Sequence, residues 1–88
     1  MKIKIEHPDQ NQLKQRGVFT WPIWQKEPSV FNWFYEANEQ CYLLEGKVTV
    51  KTVEGEVSFG QGDFVVFPKG LQCVWTIHER VRKHYAFF

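Results

Sequence analysis

The sequence predicts an all-β fold, a small barrel or sandwich of antiparallel strands with one short helix near its start. Two observations carry this expectation. Short apolar segments, several alternating with period two, are separated by Gly or Pro at intervals of about ten residues, the spacing that antiparallel strands joined by tight turns require. One stretch alone carries helix punctuation, with Pro8 and Asp9 at its start and Gly17 just past its end. The 88 residues form a single domain, 1–88, because chains divide only well beyond this length.

The elements follow in order. Lys2 to Glu6 alternates Lys-Ile-Lys-Ile-Glu, a short strand with Ile3 and Ile5 on one face. The polar run from Pro8 to Gly17 has Leu13 as its one sizeable apolar residue and fits one or two helical turns. From Val18 onward the pattern is strand and turn. Phe19-Thr20-Trp21-Pro22-Ile23-Trp24 is interrupted by proline, which places it at an edge or in an extended crossing segment. Phe31 to Tyr35 is a strand with Phe31, Trp33 and Tyr35 on a common face. Glu39 to Glu45 is another, closed by Gly46, and Lys47 to Thr52 is the next, with Val48 and Val50 inward. Glu54-Gly55 turns into Val57 to Phe59. Gly60 to Asp63 turns into Phe64 to Phe67, and Pro68-Lys69-Gly70 into Leu71 to Ile77. Val81 to Phe87 is the last strand, and no repeat or linker interrupts the series.

Composition narrows the function classes. Aromatic residues make up 17% of the chain, with four Trp and eight Phe, enough large rings to fill a small core or line a pocket. The net charge of +1 offers no strong attraction to nucleic acid or an anionic membrane. Arg80, Arg82 and Lys83, with His78 and His84 nearby, form the one basic concentration, and a solvated face of the last strand accounts for it. His7 and His78 read as surface residues at element ends. No apolar run reaches signal-peptide or membrane-spanning length, so a cytoplasmic location is expected, with Cys41 and Cys73 as free thiols.

Gly62, five residues, Pro68-Lys69-Gly70, two residues and Cys73 resembles the second motif of the cupin family, in which a metal-binding His stands where this chain has Cys73. Glu39, six residues and Gly46 is similar to the second half of the first cupin motif, and Trp33-x-Tyr35 falls where that motif has His-x-His. The likeness spans about Phe31 to Ile77. It implies a jelly-roll-like barrel, or double-stranded β-helix, and a tendency to form homodimers. The Trp-x-Tyr pair, Phe67-Pro68-Lys69-Gly70 and Lys83-x-Tyr85 look like the small single-domain group similar to ureidoglycine aminohydrolase.

A barrel of this kind brings Trp33, Tyr35 and Glu39 opposite Cys73 and Trp75. The result is an aromatic-walled cavity with a carboxylate, a phenol and a thiol, the general form of a small-molecule site. A ring-stacking ligand, a sugar or a cation suits it, since cations sit favourably over Trp faces beside a carboxylate. Of the four cupin metal ligands only Glu39 is present, so no metal site is assigned. Partial ligation through Glu39, with Tyr35 as phenolate and Cys73 as thiolate, is the alternative, with His84 as a further nitrogen. Glu39 and Cys73 are the catalytic candidates, and Cys73 as a nucleophile needs Lys83 or His84 beside it. The plainer readings are a filled barrel interior, an inert buried thiol, and a Glu39 satisfied by Tyr35 or a backbone amide. Three functions are carried forward: a small-molecule-binding cupin, which includes an enzyme of unknown substrate; a metal-dependent enzyme acting on a ureide-like compound; and a non-enzymatic dimeric module packing through Phe19, Trp21 and Trp24.

Overall fold

Strand alternation dominates the chain because β-branched and aromatic residues pack well on a pleated surface, and seven strands result among the described residues. The computed structural model describes residues 2–88. The elements are β1 (Lys4–Glu6), α1 (Gln10–Gln15), a 3-10 turn (Val18–Thr20), β2 (Ile23–Lys26), β3 (Ser29–Phe34), β4 (Glu39–Thr52), β5 (Gly55–Gly60), β6 (Phe64–Phe67) and β7 (Gln72–Phe87). All pairings are antiparallel. Among the described residues no helix is long and apolar enough to cross a membrane.

Two long strands organise the sheet. β4 runs for 14 residues and β7 for 16, and they pair along most of their length. Each was expected as two strands, broken at Gly46 and at His78-Glu79-Arg80. Both breaks are bends within continuous strands, so His78 lies mid-strand rather than at an element end and bonds the Thr49 hydroxyl at 2.9 Å. Register shifts between Leu43 and Val48 absorb the bend, as bulges do. On one side of the bend β6 and β1 extend the sheet beyond β4, and β2 extends it beyond β7. On the other side β5 pairs with β4 and β3 with β7. The bent ribbon therefore folds one half of the sheet over the other, which gives the expected barrel-like architecture.

Gly46 makes this bend possible. Its φ is +118°, and a Cβ there would lie 2.8 Å from the Arg80 carbonyl oxygen and 2.9 Å from the Val81 Cα. Both contacts are with backbone, which cannot rotate away.

The principal core lies between the two halves and includes Leu43, Val48, Val50, Val65, Phe67 and Val81. Outside it, α1 covers the opposite face of β6, where Leu13 and Val18 pack on Phe64. The helix is short but well terminated. Asp9 Oδ1 accepts from Gln12 N at 2.8 Å and Gln12 Oε1 accepts from Asp9 N at 2.9 Å, a reciprocal cap. Phe19 and Thr20, expected at an edge or in an extended crossing segment, lie with Val18 in a 3-10 turn, since burial of Val18 against Leu13 holds the chain close to the helix. Cys41 and Cys73 are free, and the fully buried Cys41 thiol is pushed up to about 12 by burial, with Lys83 drawing it the other way.

Gly46→Ala is expected to lower the unfolding free energy by about 2 kcal/mol or more, because both its dihedral and its neighbours reject a side chain. Urea denaturation checks this, and a loss within about 0.5 kcal/mol would contradict it. Cys41 gives a second expectation. An unfolded thiol ionises above its ordinary value of about 9, while the folded one stays protonated to about 12. Stability contributed by Cys41 is thus complete below pH 9 and declines between pH 9 and 12, by about 1.4 kcal/mol per unit. Cys41→Ala should flatten this alkaline slope in urea midpoints measured at pH 8 and 10.5.

Candidate functional site

The inner face of β4 begins with Glu39, Cys41 and Leu43, and the inner face of β7 ends with Val81, Lys83, Tyr85 and Phe87. Their register pairs Glu39 with Phe87, Cys41 with Tyr85 and Leu43 with Lys83. The Lys83 side chain reaches diagonally across this face to place Nζ 2.8 Å from Glu39 Oε2. Both side chains are buried, 6% and 4% exposed. Nζ also lies 4.8 Å from the Trp24 ring centroid and 4.6 Å from that of Trp75. The Tyr35 phenol lies beside Glu39 as well, close enough to feel its charge. Its backbone is fixed where β3 ends, with Tyr35 N donating to Leu71 O at 2.9 Å and Gly70 N donating to Tyr35 O at 2.7 Å. Burial, with the neighbouring Glu39 charge adding to it, pushes the Tyr35 phenol far above its ordinary range, so it is a neutral donor.

A cavity of about 260 Å³ opens over this ion pair. Glu39, Lys83 and Tyr35 supply its polar groups. Trp24, Phe31 and Trp75 form aromatic walls, with Phe31 stacked on Trp75 at 5.9 Å between centroids and 18° between planes. Trp33 and Phe87, 47% and 55% exposed, stand toward solvent, and Tyr85 completes the lining. Its charged groups are one carboxylate and one ammonium, matched to each other.

The structure gathers Trp33, Tyr35, Glu39 and Trp75 on this cavity as expected, with Trp33 at the mouth rather than deep in the wall. Cys73 is not part of the lining. Its Sγ donates to the Trp33 carbonyl at 3.6 Å, and burial, reinforced by the Glu39 charge, holds the thiol above its ordinary value. The Trp75 indole N–H lies near enough to favour the thiolate, but its geometry makes no hydrogen bond and burial prevails. Neither proposed activator serves Cys73. Lys83 is committed to Glu39, and His84 points to the opposite face, where Nδ1 bonds the Trp21 carbonyl at 2.9 Å and the ring packs on Phe19. The nucleophile reading of Cys73 is therefore corrected to a buried structural thiol.

Two residues that line the cavity were placed elsewhere by the sequence reading. Lys83 was grouped with a solvated basic face, but only part of that cluster is one. Arg80 pairs with Glu45 at 3.3 Å on the surface, whereas Lys83 is buried. Alternation already set Lys83 with Tyr85 and apart from His84, and a carboxylate amid aromatics demanded a partner, so the signal was present. Trp24 was expected outside, in a self-association surface with Phe19 and Trp21. It faces the cavity, Trp21 is half-buried beside Phe64, and Phe19 alone of the three is exposed. His7 is a surface residue as expected, bonded to Asp63 at 2.8 Å.

The cupin resemblance implies a transition metal at this position, and the donors present do not fit one. Among the described residues no three His, Cys, Asp or Glu side chains come together. Glu39 already holds an ammonium, the Tyr35 phenol and Cys73 thiol are held protonated, and the Trp33 indole has no lone pair to donate. The position over two indole faces beside a carboxylate, where a cationic ligand was expected, is filled by Lys83 itself.

Removing one partner of the pair leaves the other charge buried among rings, so Lys83→Met and Glu39→Gln are each expected to cost about 3–5 kcal/mol. The double substitution Glu39→Gln/Lys83→Met should cost far less than the sum of the singles. Denaturant unfolding of all four proteins closes the cycle, and additive losses would show that the two side chains are not coupled.

The comparisons with known proteins agree with this fold. An EutQ-like cupin domain model matches residues 13–85. A DUF861 family protein from Thermotoga maritima is 52% identical, with 99% of this chain and 100% of that one covered and a TM-score of 0.96. A DUF861 family protein of unknown function from Pseudomonas syringae is 29% identical over 75% of this chain and 29% of its own, with a TM-score of 0.68. The EutQ protein of Clostridium difficile, 20% identical over 75% of this chain and 52% of its own, shares the fold with a TM-score of 0.69. No curated protein matches the chain. With the model match covering most of its length and the barrel in place, the chain belongs to the EutQ-like cupin family.

Proposed function

We propose that this cupin domain binds a small ring-bearing molecule in the cavity above Glu39 and Lys83, and that it does so without a metal. One observation carries the reading: a concave, aromatic-walled space of about 260 Å³ whose charged groups are an internally matched pair. Small-molecule sites combine apolar walls with a few convergent polar groups. The volume is just below the usual range of roughly 300–1,000 Å³ for such sites, which favours a single ring over a nucleotide or fused-ring cofactor. Trp24, Phe31 and Trp75 offer ring faces and edges for stacking, and Trp33 at the mouth is placed to cover a bound ring.

A cavity of this size speaks against the filled-interior module. Metal-dependent turnover of a ureide-like compound, which the finer likeness to ureidoglycine aminohydrolase implies, is disfavoured because the ammonium of Lys83 stands where the metal would need Glu39.

Three of the four Trp residues line the cavity, so their emission reports occupancy. Phenol and 2-pyridone serve as single-ring probes. At least one is expected to give a saturable fluorescence change, weakened about three- to tenfold by Trp33→Ala, in line with one lost ring contact. Trp33 is half exposed, so the variant should keep its melting temperature. Absence of saturation by either probe would sink the proposal, as would stoichiometric metal surviving dialysis against a chelator for its metal-free part.

A further inference from the structure

Resting on the small-molecule reading, we infer that the pocket selects its ligand by charge: it takes an uncharged ring bearing a hydrogen-bond acceptor beside a donor, as in a cyclic amide, and rejects cations and anions of the same size.

The argument starts from the polar groups of the cavity. Nζ of Lys83 and Oε2 of Glu39 are 2.8 Å apart, and the remaining lining residues carry no charge. An incoming cation meets its preferred place already filled, because Lys83 lies over the Trp24 and Trp75 faces beside the carboxylate. It would be repelled by that ammonium and could reach Glu39 only by displacing it. An incoming anion is attracted to Lys83 and repelled by Glu39 at nearly the same distance, so the two effects largely cancel. Its own desolvation is then uncompensated in an aromatic enclosure. Neither ion recovers the hydration it gives up.

A neutral cyclic amide has no such deficit. Its carbonyl oxygen accepts from Nζ, whose other neighbours are weakly accepting ring faces. Its adjacent N–H donates to the Glu39 carboxylate, which has acceptor capacity beyond Lys83. Acceptor and donor sit side by side on the ligand edge as Nζ and the carboxylate sit side by side in the protein. The flat ring behind that edge lies among Phe31, Trp33 and Trp75, which are indifferent to its charge. The ion pair thus acts as a specificity determinant, and breaking it changes which charge is favoured.

Four single-ring probes of similar size test this by Trp fluorescence and calorimetry at pH 7.5: 2-pyridone (neutral acceptor–donor edge), phenol (neutral ring without that edge), benzoate and benzylammonium. The wild-type protein is expected to bind 2-pyridone at least tenfold more tightly than either ion, with phenol between. Glu39→Gln leaves Lys83 without its counter-charge and should make benzoate the best of the four. Lys83→Met leaves Glu39 exposed to the cavity and should favour benzylammonium. Wild-type preference for benzylammonium or benzoate overturns the charge rule while leaving the pocket itself standing. Folded variants that keep the wild-type order also overturn it, and if neither variant folds the wild-type order decides alone. Failure of all four probes to bind removes the pocket reading and this inference together.

Discussion

A carboxylate among indole and phenol rings is tolerable only with a positive partner, and in this barrel the Glu39–Lys83 contact at 2.8 Å supplies it. Desolvating two charges is costly, and such a pair is weak evidence of added stability over an apolar substitute. Its importance lies in what it dictates nearby. It neutralises the interior, helps keep the Tyr35 phenol protonated through the Glu39 charge, and fills the place over the Trp24 and Trp75 faces that a free cation would seek. Lys83 sets a tethered monovalent cation beside Glu39. An ammonium offers hydrogen-bond donors and charge but no open coordination position.

The bent β4–β7 ribbon explains how so small a domain has an interior to spare. Each half of the sheet alone has one apolar face, and the bend at Gly46 brings those faces together. The cavity lies between the halves. Trp24, Glu39 and Lys83 come from the half built on β6 and β2, and Phe31 and Trp75 from the half built on β3. Rings packed edge-to-face with centroids about 6 Å apart, such as Trp24 against Trp75, leave more open space than interdigitated aliphatic side chains do.

Similarity among relatives divides along the same line. The fold persists to 20% identity in EutQ, because bulge, turns and inner-face alternation ask only for suitable residue types. A site depends on particular side chains meeting, so shared architecture at that distance transfers the scaffold and not the chemistry.

Much of the molecule was legible in the chain. Gly and Pro spacing determined the all-β class, the helix followed from Asp9 and Leu13, and period-two alternation put Phe31, Trp33 and Tyr35 on one face. Glu39 was marked as needing a partner. Tertiary structure decided who that partner is, since Lys83 lies 44 residues away and reaches Glu39 only by crossing the inner face of two paired strands. It also turned Trp24 inward, left Cys73 beneath the lining, and joined segments read as separate strands into two long ones. Sequence periodicity fixes the face from which a side chain departs. It does not fix where the end of a long flexible chain comes to rest, because that is set by the charges and rings the closed barrel brings within reach.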